Sequence, residues 1–241
     1  MKQRPAFYAA RPGGWRDWWT LLHPPYTAWH LSYVVIGATI APRTDGGRLA
    51  VTLLAFFLAV GIAAHALDEL HGRPLETRIP ARVLVAVSVA ALLATLICGF
   101  AGIATVGWGL LVFMAVGPVL VLGYNLELFN GVLHTDIGFA AAWGSFPVLV
   151  AYYAQADRLG VAAILAAIAA FGLSLAQRSL STPARALRRQ ITAVSGSVTT
   201  RDGTVLALNE RMLLSPLEHA LAAMSWAIVA LALALAYARL R

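Results

Sequence analysis

The stretch that decides the fold covers residues 48–70 and reads RLAVTLLAFFLAVGIAAHALDEL. Between Arg48 and His65 it carries no ionisable side chain. A helix of about 20 apolar residues crosses the roughly 30 Å hydrocarbon core of a bilayer. We therefore predict a membrane-spanning helix whose far end carries a cluster of ionisable groups, namely His65, Asp68 and Glu69.

The rest of the chain has the same apolar character. Of its 241 residues, 60% are hydrophobic and only 12% are charged, whereas a soluble domain carries about 25% charged residues. The mean hydropathy is +0.74. We predict an all-α, polytopic transmembrane helix bundle that forms one integral membrane domain over residues 1–241. About seven spans are expected, near residues 26–42, 48–70, 80–100, 103–123, 137–155, 159–177 and 215–238.

The segment before the first predicted span, residues 1–24, is rich in tryptophan. Trp15, Trp18, Trp19 and Leu22 are spaced to lie on one face of a helix. Because tryptophan favours the headgroup region of a bilayer, we expect a short interfacial helix that ends at Pro24.

The longest predicted loop covers residues 178–214. Within it, two β-rich runs, Ile191–Thr199 and Thr204–Leu208, flank Asp202 and Gly203. An Asp-Gly pair between such runs is a hairpin signal, so we expect a small hairpin at about 190–208. The alternative is a partly disordered basic loop.

The net charge is +7, and the basic residues lie between the apolar runs. With the N-terminus inside, the inner segments hold 13 Lys and Arg residues and the outer segments hold 5. Positive charge marks cytoplasmic loops, so we predict a cytoplasmic N-terminus and an outer C-terminus, in the plasma (inner) membrane. The basic residues are then expected to contact anionic lipid and not nucleic acid.

Most ionisable residues gather on the predicted cytoplasmic side, in four clusters. The first contains His65, Asp68, Glu69, His71 and Arg73. On a helix, His65 shares a face with the residues three and four positions later, which suits a metal site. The alternative is an ion-paired helix end. An ionisable group this far along an apolar helix is a functional candidate by default.

The other clusters surround the neighbouring helix ends. The second, in the short linker 124–136, supplies Glu127, Asn130, His134 and Asp136, although Asp136 could simply cap a helix. The third is Glu218 with His219, where Glu218 could complete a capping box. The fourth suits phosphate or anionic headgroups, or else anchors the helix; its members are Gln177, Arg178, Ser181, Thr182, Arg185, Arg188 and Arg189.

Three segments resemble the UbiA superfamily of intramembrane prenyltransferases. Residues 22–25, LHPP, resemble that family's entry into its first span. The acidic end of the second span, followed by Arg73-Pro74-Leu75 and Ile79-Pro80, resembles its first Asp-rich motif and the trailing Arg-Pro segment. Residues 143–155, WGSFPVLVAYYAQ, resemble its fifth helix. The likeness covers roughly residues 20–180.

The resemblance implies a bundle in which two Asp-rich motifs hold Mg²⁺ on an isoprenyl diphosphate. An allylic cation forms there and an acceptor attacks it. This sequence departs from that pattern, because His65 stands near the position of the family's Asn and only Asp68 and Glu69 are acidic. The segment Gln177–Arg189, where the second motif is expected, contains no acidic residue.

Three functional hypotheses follow. In the first, a divergent prenyltransferase-like enzyme acts on an isoprenoid or other lipidic substrate at the cytoplasmic face. Asp68 and Glu69 bind one Mg²⁺, arginines of the fourth cluster pair the phosphate, and Glu127, His134 or Asp136 orients the acceptor or takes its proton. The residues expected to bind the diphosphate or cofactor are Arg73, Asn130, Gln177, Arg178 and Arg185.

The second hypothesis is an intramembrane metalloenzyme acting on a lipid or quinone-like substrate. Imidazole and carboxylate ligands suit Zn, Fe or Mn better than Mg. Its candidate metal ligands are His65, Asp68, Glu69, His71, His134 and His219, with Glu127 and Asp136 nearby. The third hypothesis is a non-catalytic membrane subunit that binds lipid or a partner protein.

Overall fold

A computed structural model describes residues 5–240, and about 72% of the structure is helical. We number the elements in chain order. The helices are α1 (Trp15–Leu21), α2 (Pro24–Thr39), α3 (Gly46–Leu70), α4 (Ala81–Val106), α5 (Leu110–Asn125), α6 (Asp136–Ala156), α7 (Val161–Arg189) and α8 (Glu210–Leu240), and the strands are β1 (Ser197–Thr199) and β2 (Val205–Ala207).

Five helices in the described part of the chain are long and apolar enough to cross a membrane: α3, α4, α6, α7 and α8. The prediction of an integral membrane helix bundle is therefore confirmed. Each of the seven predicted apolar runs forms a helix. The two that are not among the five, α2 and α5, are 16 residues long.

Large apolar side chains point outward from these helices. On α4, Ile97 is 68% exposed and Phe100 is 60% exposed, and on α8 Trp226 is 72% exposed. Contiguous apolar surface of this extent is disfavoured in water, whereas lipid chains solvate it at no cost. The outer faces of α4 and α8 are therefore lipid-facing.

Small residues let the central helices approach closely. A Cβ added to Gly144 of α6 would lie 2.7 Å from the Ala170 carbonyl oxygen of α7 and 2.6 Å from Ser174 Oγ. A Cβ added to Gly37 of α2 would likewise collide with the backbone of Val148 in α6. Close backbone packing at small residues is the usual basis of helix association in membranes. It places α6 between α2 and α7.

The ends of three segments differ from the prediction. Helix α7 continues through Pro183 to Arg189, so the loop predicted at 178–214 is reduced to residues 190–209. The predicted hairpin within it is confirmed, with Ser197 opposite Ala207 and a shorter first strand. Helix α4 extends to Val106, so the turn into α5 lies at Gly107, where φ is +117°.

Two helices contain a π-helical segment, Phe57–Ala64 in α3 and Ala140–Ser145 in α6. Each inserts extra backbone into a helix, and such segments are frequent at functional sites. The first ends immediately before His65, and the second contains Trp143. Both segments therefore lie beside the predicted polar clusters.

Candidate functional site

A polar cavity of about 250 Å³ lies where the helix ends on one side of the bundle converge. It brings together residues from all four predicted clusters. They come from the end of α3, the linker before α6, the last four turns of α7 and the start of α8: His65, Asp68, His134, Gln177, Arg178, Arg185 and Glu218. These residues therefore surround a single ligand-sized space.

Asp68 is the carboxylate of the first cluster that faces this cavity. It has no hydrogen bond or ion pair with any other described residue, although Arg185 and Arg189 line the same cavity. A carboxylate on an apolar helix without a fixed partner is costly. Asp68 is therefore available to a ligand.

Glu69 does not reach the cavity, contrary to its predicted role as a metal ligand. Its side chain is fully buried at 0% exposure. Oε2 accepts a hydrogen bond from Leu75 N at 2.9 Å, and Oε1 accepts from Thr77 N and Thr77 Oγ1, both at 2.8 Å. Glu69 therefore holds the loop that follows α3.

Arg73 supports the same loop and is not directed at the cavity. Its Nη1 donates to the carbonyl oxygen of Ile79 at 2.7 Å. Its backbone lies in the left-handed region, with φ at +54°. The Arg73-Pro74-Leu75 segment is thus explained by the folding of residues 71–80, and of its three residues only Pro74 lines the cavity.

Three predicted ligands lie on the exposed surface of the linkers: His71, Glu127 and Asn130. Glu127 Oε1 is 3.7 Å from His71 Nε2 and 3.9 Å from His134 Nδ1. However, His134 Nδ1 is hydrogen-bonded to the Tyr124 carbonyl oxygen at 3.0 Å, so this nitrogen carries a proton and cannot coordinate a metal. His219 is also exposed and lies outside the cavity.

Across residues 5–240, no group of three His, Cys, Asp or Glu side chains is placed to hold a metal ion. Asp136 illustrates the reason, because its Oδ1 accepts a hydrogen bond from Arg178 Nε at 2.9 Å. Thr135, and not Asp136, caps α6 by accepting from Gly138 N. Of the predicted ligands, His65, Asp68 and His134 line the cavity, whereas the others lie in an ion pair, in the loop after α3 or on the surface.

Sequence reasoning did not select His23, which precedes α2 and lines the cavity. Its ring stacks on that of His65 with a centroid distance of 4.3 Å. Tyr8 Oη is 2.6 Å from His23 Nδ1. Burial lowers the pKa of His23 well below its usual value and raises the pKa of Tyr8, so both side chains are neutral.

The contact with Tyr8 occupies one ring nitrogen of His23, Nδ1. The other ring nitrogen is Nε2. That nitrogen is buried and has no partner among residues 5–240; nor do Tyr124 Oη and Gln177 Oε1. All three residues line the cavity. Since buried polar atoms are normally satisfied, these three atoms leave hydrogen-bonding capacity beside the cavity.

The segment Pro5–Tyr8 covers the cavity. The Pro5 carbonyl oxygen accepts a hydrogen bond from Arg189 Nε at 3.1 Å. The Phe7 and Tyr8 rings pack edge-on against Tyr26, with centroid distances of 6.4 and 5.7 Å. The N-terminal segment thus closes one side of the polar space through aromatic contacts and a single hydrogen bond to α7.

Replacing Phe7 and Tyr8 by alanine is expected to open the cavity. In a Cys98→Ser background, a cysteine at buried Ser181 should react with maleimide about tenfold faster once the two rings are removed, because local opening then costs less. The labelling rate is measured in detergent by mass spectrometry. A cysteine at exposed Ser195 is the control and should not change, whereas equal rates at residue 181 would contradict the covering role.

A second cavity of about 530 Å³ lies between α3, α4, α5 and α6 and is lined mostly by apolar side chains. Val60 and Trp143 line both this cavity and the polar one. They belong to the two π-helical segments. The two spaces are therefore adjacent, with Val60 and Trp143 between them, and together they match a molecule with a polar head and an apolar tail.

The fold defines an integral membrane helix bundle that contains a polar and an apolar cavity side by side. The chain matches no family model, no curated protein and no solved structure.

Proposed function

We propose that this chain is a divergent UbiA-like membrane enzyme that transfers an isoprenoid group to a lipidic acceptor. The observation that carries the proposal is the pair of adjacent cavities, because an isoprenyl diphosphate has one charged end and one apolar end. The resemblance of residues 22–25, 65–80 and 143–155 to that superfamily agrees with it.

The proposed topology has seven spans, with α2 and α5 crossing the membrane beside the five longer helices. At 1.5 Å per residue each is about 24 Å long, which suffices where neighbouring helices shield the ends. The polar cavity then faces the cytoplasm. Helix α1 lies in the interface, since Trp15 is 71% exposed and Trp19 is also exposed beside Arg16.

In the proposed reaction, the isoprenoid tail occupies the apolar cavity and the diphosphate lies beside α7. The allylic C–O bond breaks, the diphosphate leaves with the bonding electrons, and the acceptor attacks the allylic carbon. Asp68 takes the acceptor's proton, since it is the cavity carboxylate without a fixed partner. Trp143 and Val60 separate the developing cation from water.

The residues present do not fit a site for two magnesium ions. Only two carboxylates line the polar cavity in the described structure, Asp68 and Glu218, and Glu218 is paired with Arg188. Glu69 is turned into the loop after α3. Each Mg²⁺ on a diphosphate is usually held by one or two protein carboxylates. One unpaired carboxylate does not supply two such ions, so no step of the proposed reaction is assigned to Mg²⁺.

The proposal is tested by incubating the protein in lipid nanodiscs with radiolabelled isoprenyl diphosphates of different lengths and a membrane lipid extract. Gly117 of α5 lines the apolar cavity, and a Cβ there meets only Phe146 at 3.7 Å. The change Gly117→Leu is therefore expected to project into the cavity. It should reduce transfer of a geranylgeranyl group roughly tenfold or more and affect a geranyl group much less.

The matched control is Gly172→Leu on α7. Gly172 is exposed, and an added Cβ there meets nothing within 4 Å. Both variants exchange glycine for leucine within a helix, but only one fills the cavity. Equal transfer rates for the two variants would mean that the isoprenoid tail does not occupy the apolar cavity. Absence of transfer by the unaltered protein with every isoprenyl diphosphate would overturn the enzymatic proposal.

A further inference from the structure

Among residues 5–240, four guanidinium groups line the polar cavity, and two of them are already paired. Arg178 binds Asp136, and Arg188 binds Glu218 through Nε and Nη2. Such pairs remove positive charge from the cavity. The groups that remain are Arg185 and Arg189, both near the end of α7.

Arg185 has no carboxylate partner among the described residues. Its Nη1 donates to Ser181 Oγ and its Nη2 donates to Thr182 Oγ1, both at 3.2 Å. Neither hydroxyl carries charge. Hydrogen bonds from one face of α7 thus hold the guanidinium in place and leave its charge uncompensated, although the side chain is half-buried.

Arg189 lies one turn further along the same face of α7. Its Nε donates to the Pro5 carbonyl oxygen, again an uncharged acceptor. The carboxylate opposite these two arginines is Asp68, which is not within ion-pair distance of either. Arg185 and Arg189 therefore bring two positive charges to the cavity, and Asp68 brings one negative charge. An anion bound between the two arginines and Asp68 would be stabilised by the excess positive charge.

Neutral polar groups line the same space. His23 Nε2 and the Tyr124 hydroxyl, both on residues that line the cavity, have no partner among residues 5–240. Guanidinium forks combined with neutral N–H and O–H donors are a typical binding set for phosphate oxygens. A metal-bridged phosphate is instead held through one or two protein carboxylates, and Asp68 is the one carboxylate among the described cavity residues that is not ion-paired.

We propose that the polar cavity binds a phosphate or diphosphate group directly through Arg185 and Arg189, without a bridging divalent cation. The inference rests on the proposed function only for the isoprenoid tail that the phosphate group carries. The binding of the phosphate group itself does not depend on that function. The guanidinium charge thereby replaces the charge that a metal would otherwise supply to the leaving diphosphate.

The experiment is isothermal titration of the full chain in phosphatidylcholine nanodiscs with inorganic pyrophosphate, first in EDTA and then in Mg²⁺. We expect binding in EDTA and little change in Mg²⁺. Arg185→Gln should weaken binding roughly tenfold or more, because charge-assisted hydrogen bonds are lost. The affinity of Arg185→Lys for pyrophosphate should lie between those of the unaltered chain and Arg185→Gln, since lysine keeps the charge but lacks the planar guanidinium group.

Arg201→Gln, in the exposed hairpin, is the matched control and should bind as the unaltered chain does. Arg185 makes no ion pair, so its loss should leave the melting temperature nearly unchanged. Pyrophosphate binding that requires Mg²⁺ and is abolished by Asp68→Asn would overturn the inference in favour of a metal-bridged site. Absence of pyrophosphate and phosphatidic acid binding in both buffers would also overturn it.

A third titration, with short-chain phosphatidic acid, separates the two sources of the phosphate. Binding of this lipid but not of pyrophosphate, with the same dependence on Arg185, would support the anion site and assign it to a phospholipid headgroup. The prenyl transfer proposal would then fail while the anion site stands. Binding of pyrophosphate together with isoprenoid transfer would support both.

Discussion

Glu69→Ala should lower the free energy of unfolding by about 3 kcal/mol, because the two backbone N–H groups of Leu75 and Thr77 would lose their buried acceptor. For a chain of this size, a loss of about 3 kcal/mol corresponds to a decrease in melting temperature of roughly 6 to 12 °C. The measurement is thermal unfolding in detergent, followed by the circular dichroism of the helices.

The control is Glu127→Ala, an exposed glutamate whose nearest polar contacts are histidines at 3.7 and 3.9 Å. It should change the melting temperature by little, because exposed pairs of this kind contribute about 0 to 1 kcal/mol. The melting temperature of Glu69→Gln should lie between those of Glu69→Ala and Glu127→Ala, since the glutamine amide keeps one acceptor oxygen. A Glu69→Ala protein as stable as the control would mean that the loop after α3 does not depend on this carboxylate.

Asp68→Asn is expected to reduce isoprenoid transfer by roughly 10²- to 10⁴-fold, the usual contribution of a positioned proton acceptor. The asparagine has nearly the same shape but cannot take a proton. Because Asp68 has no hydrogen bond or ion pair with another described residue, the melting temperature should not fall. Single-turnover transfer of a radiolabelled isoprenoid measures the first effect, and thermal unfolding measures the second.

Asp202→Asn provides the comparison, because Asp202 lies in the exposed hairpin and bonds only with Thr200 and Thr204. Its transfer rate should equal that of the unaltered chain. If Asp68→Asn transfers the isoprenoid at the same rate as the unaltered chain, Asp68 is not the proton acceptor. If the unaltered chain binds pyrophosphate but transfers nothing, the non-catalytic lipid-binding hypothesis replaces the enzyme.

Much of the fold could be predicted because lipid selects for apolar runs of a fixed length. The run at 48–70 corresponds to α3, Gly46–Leu70, within two residues at its start. The end of α7 could not be located in this way. The predicted span ended at residue 177, but the helix continues to Arg189, since its C-terminal carbonyls are compatible with positive charge.

The site could be predicted only in part, because neighbouring residues on a helix point about 100° apart. Asp68 and Glu69 are adjacent in sequence, yet one faces the cavity and the other faces the loop at residues 71–80. Local spacing does not reveal which of them does which. The contact between Tyr8 and His23 is also invisible to local patterns, since it depends on how residues 5–14 fold back over the bundle.

The π-helical segment Phe57–Ala64 divides α3 into two halves. The side chains of one half are rotated about the helix axis relative to where a regular α-helix would place them. Because each residue turns a helix by about 100°, removing one residue from this segment would rotate the polar end of α3 relative to its lipid-facing half. Glu69 would then approach the direction now taken by Asp68. An insertion or deletion in this segment would therefore change which carboxylate faces the cavity. The surface that the first half of the same helix presents to the bilayer would stay unchanged.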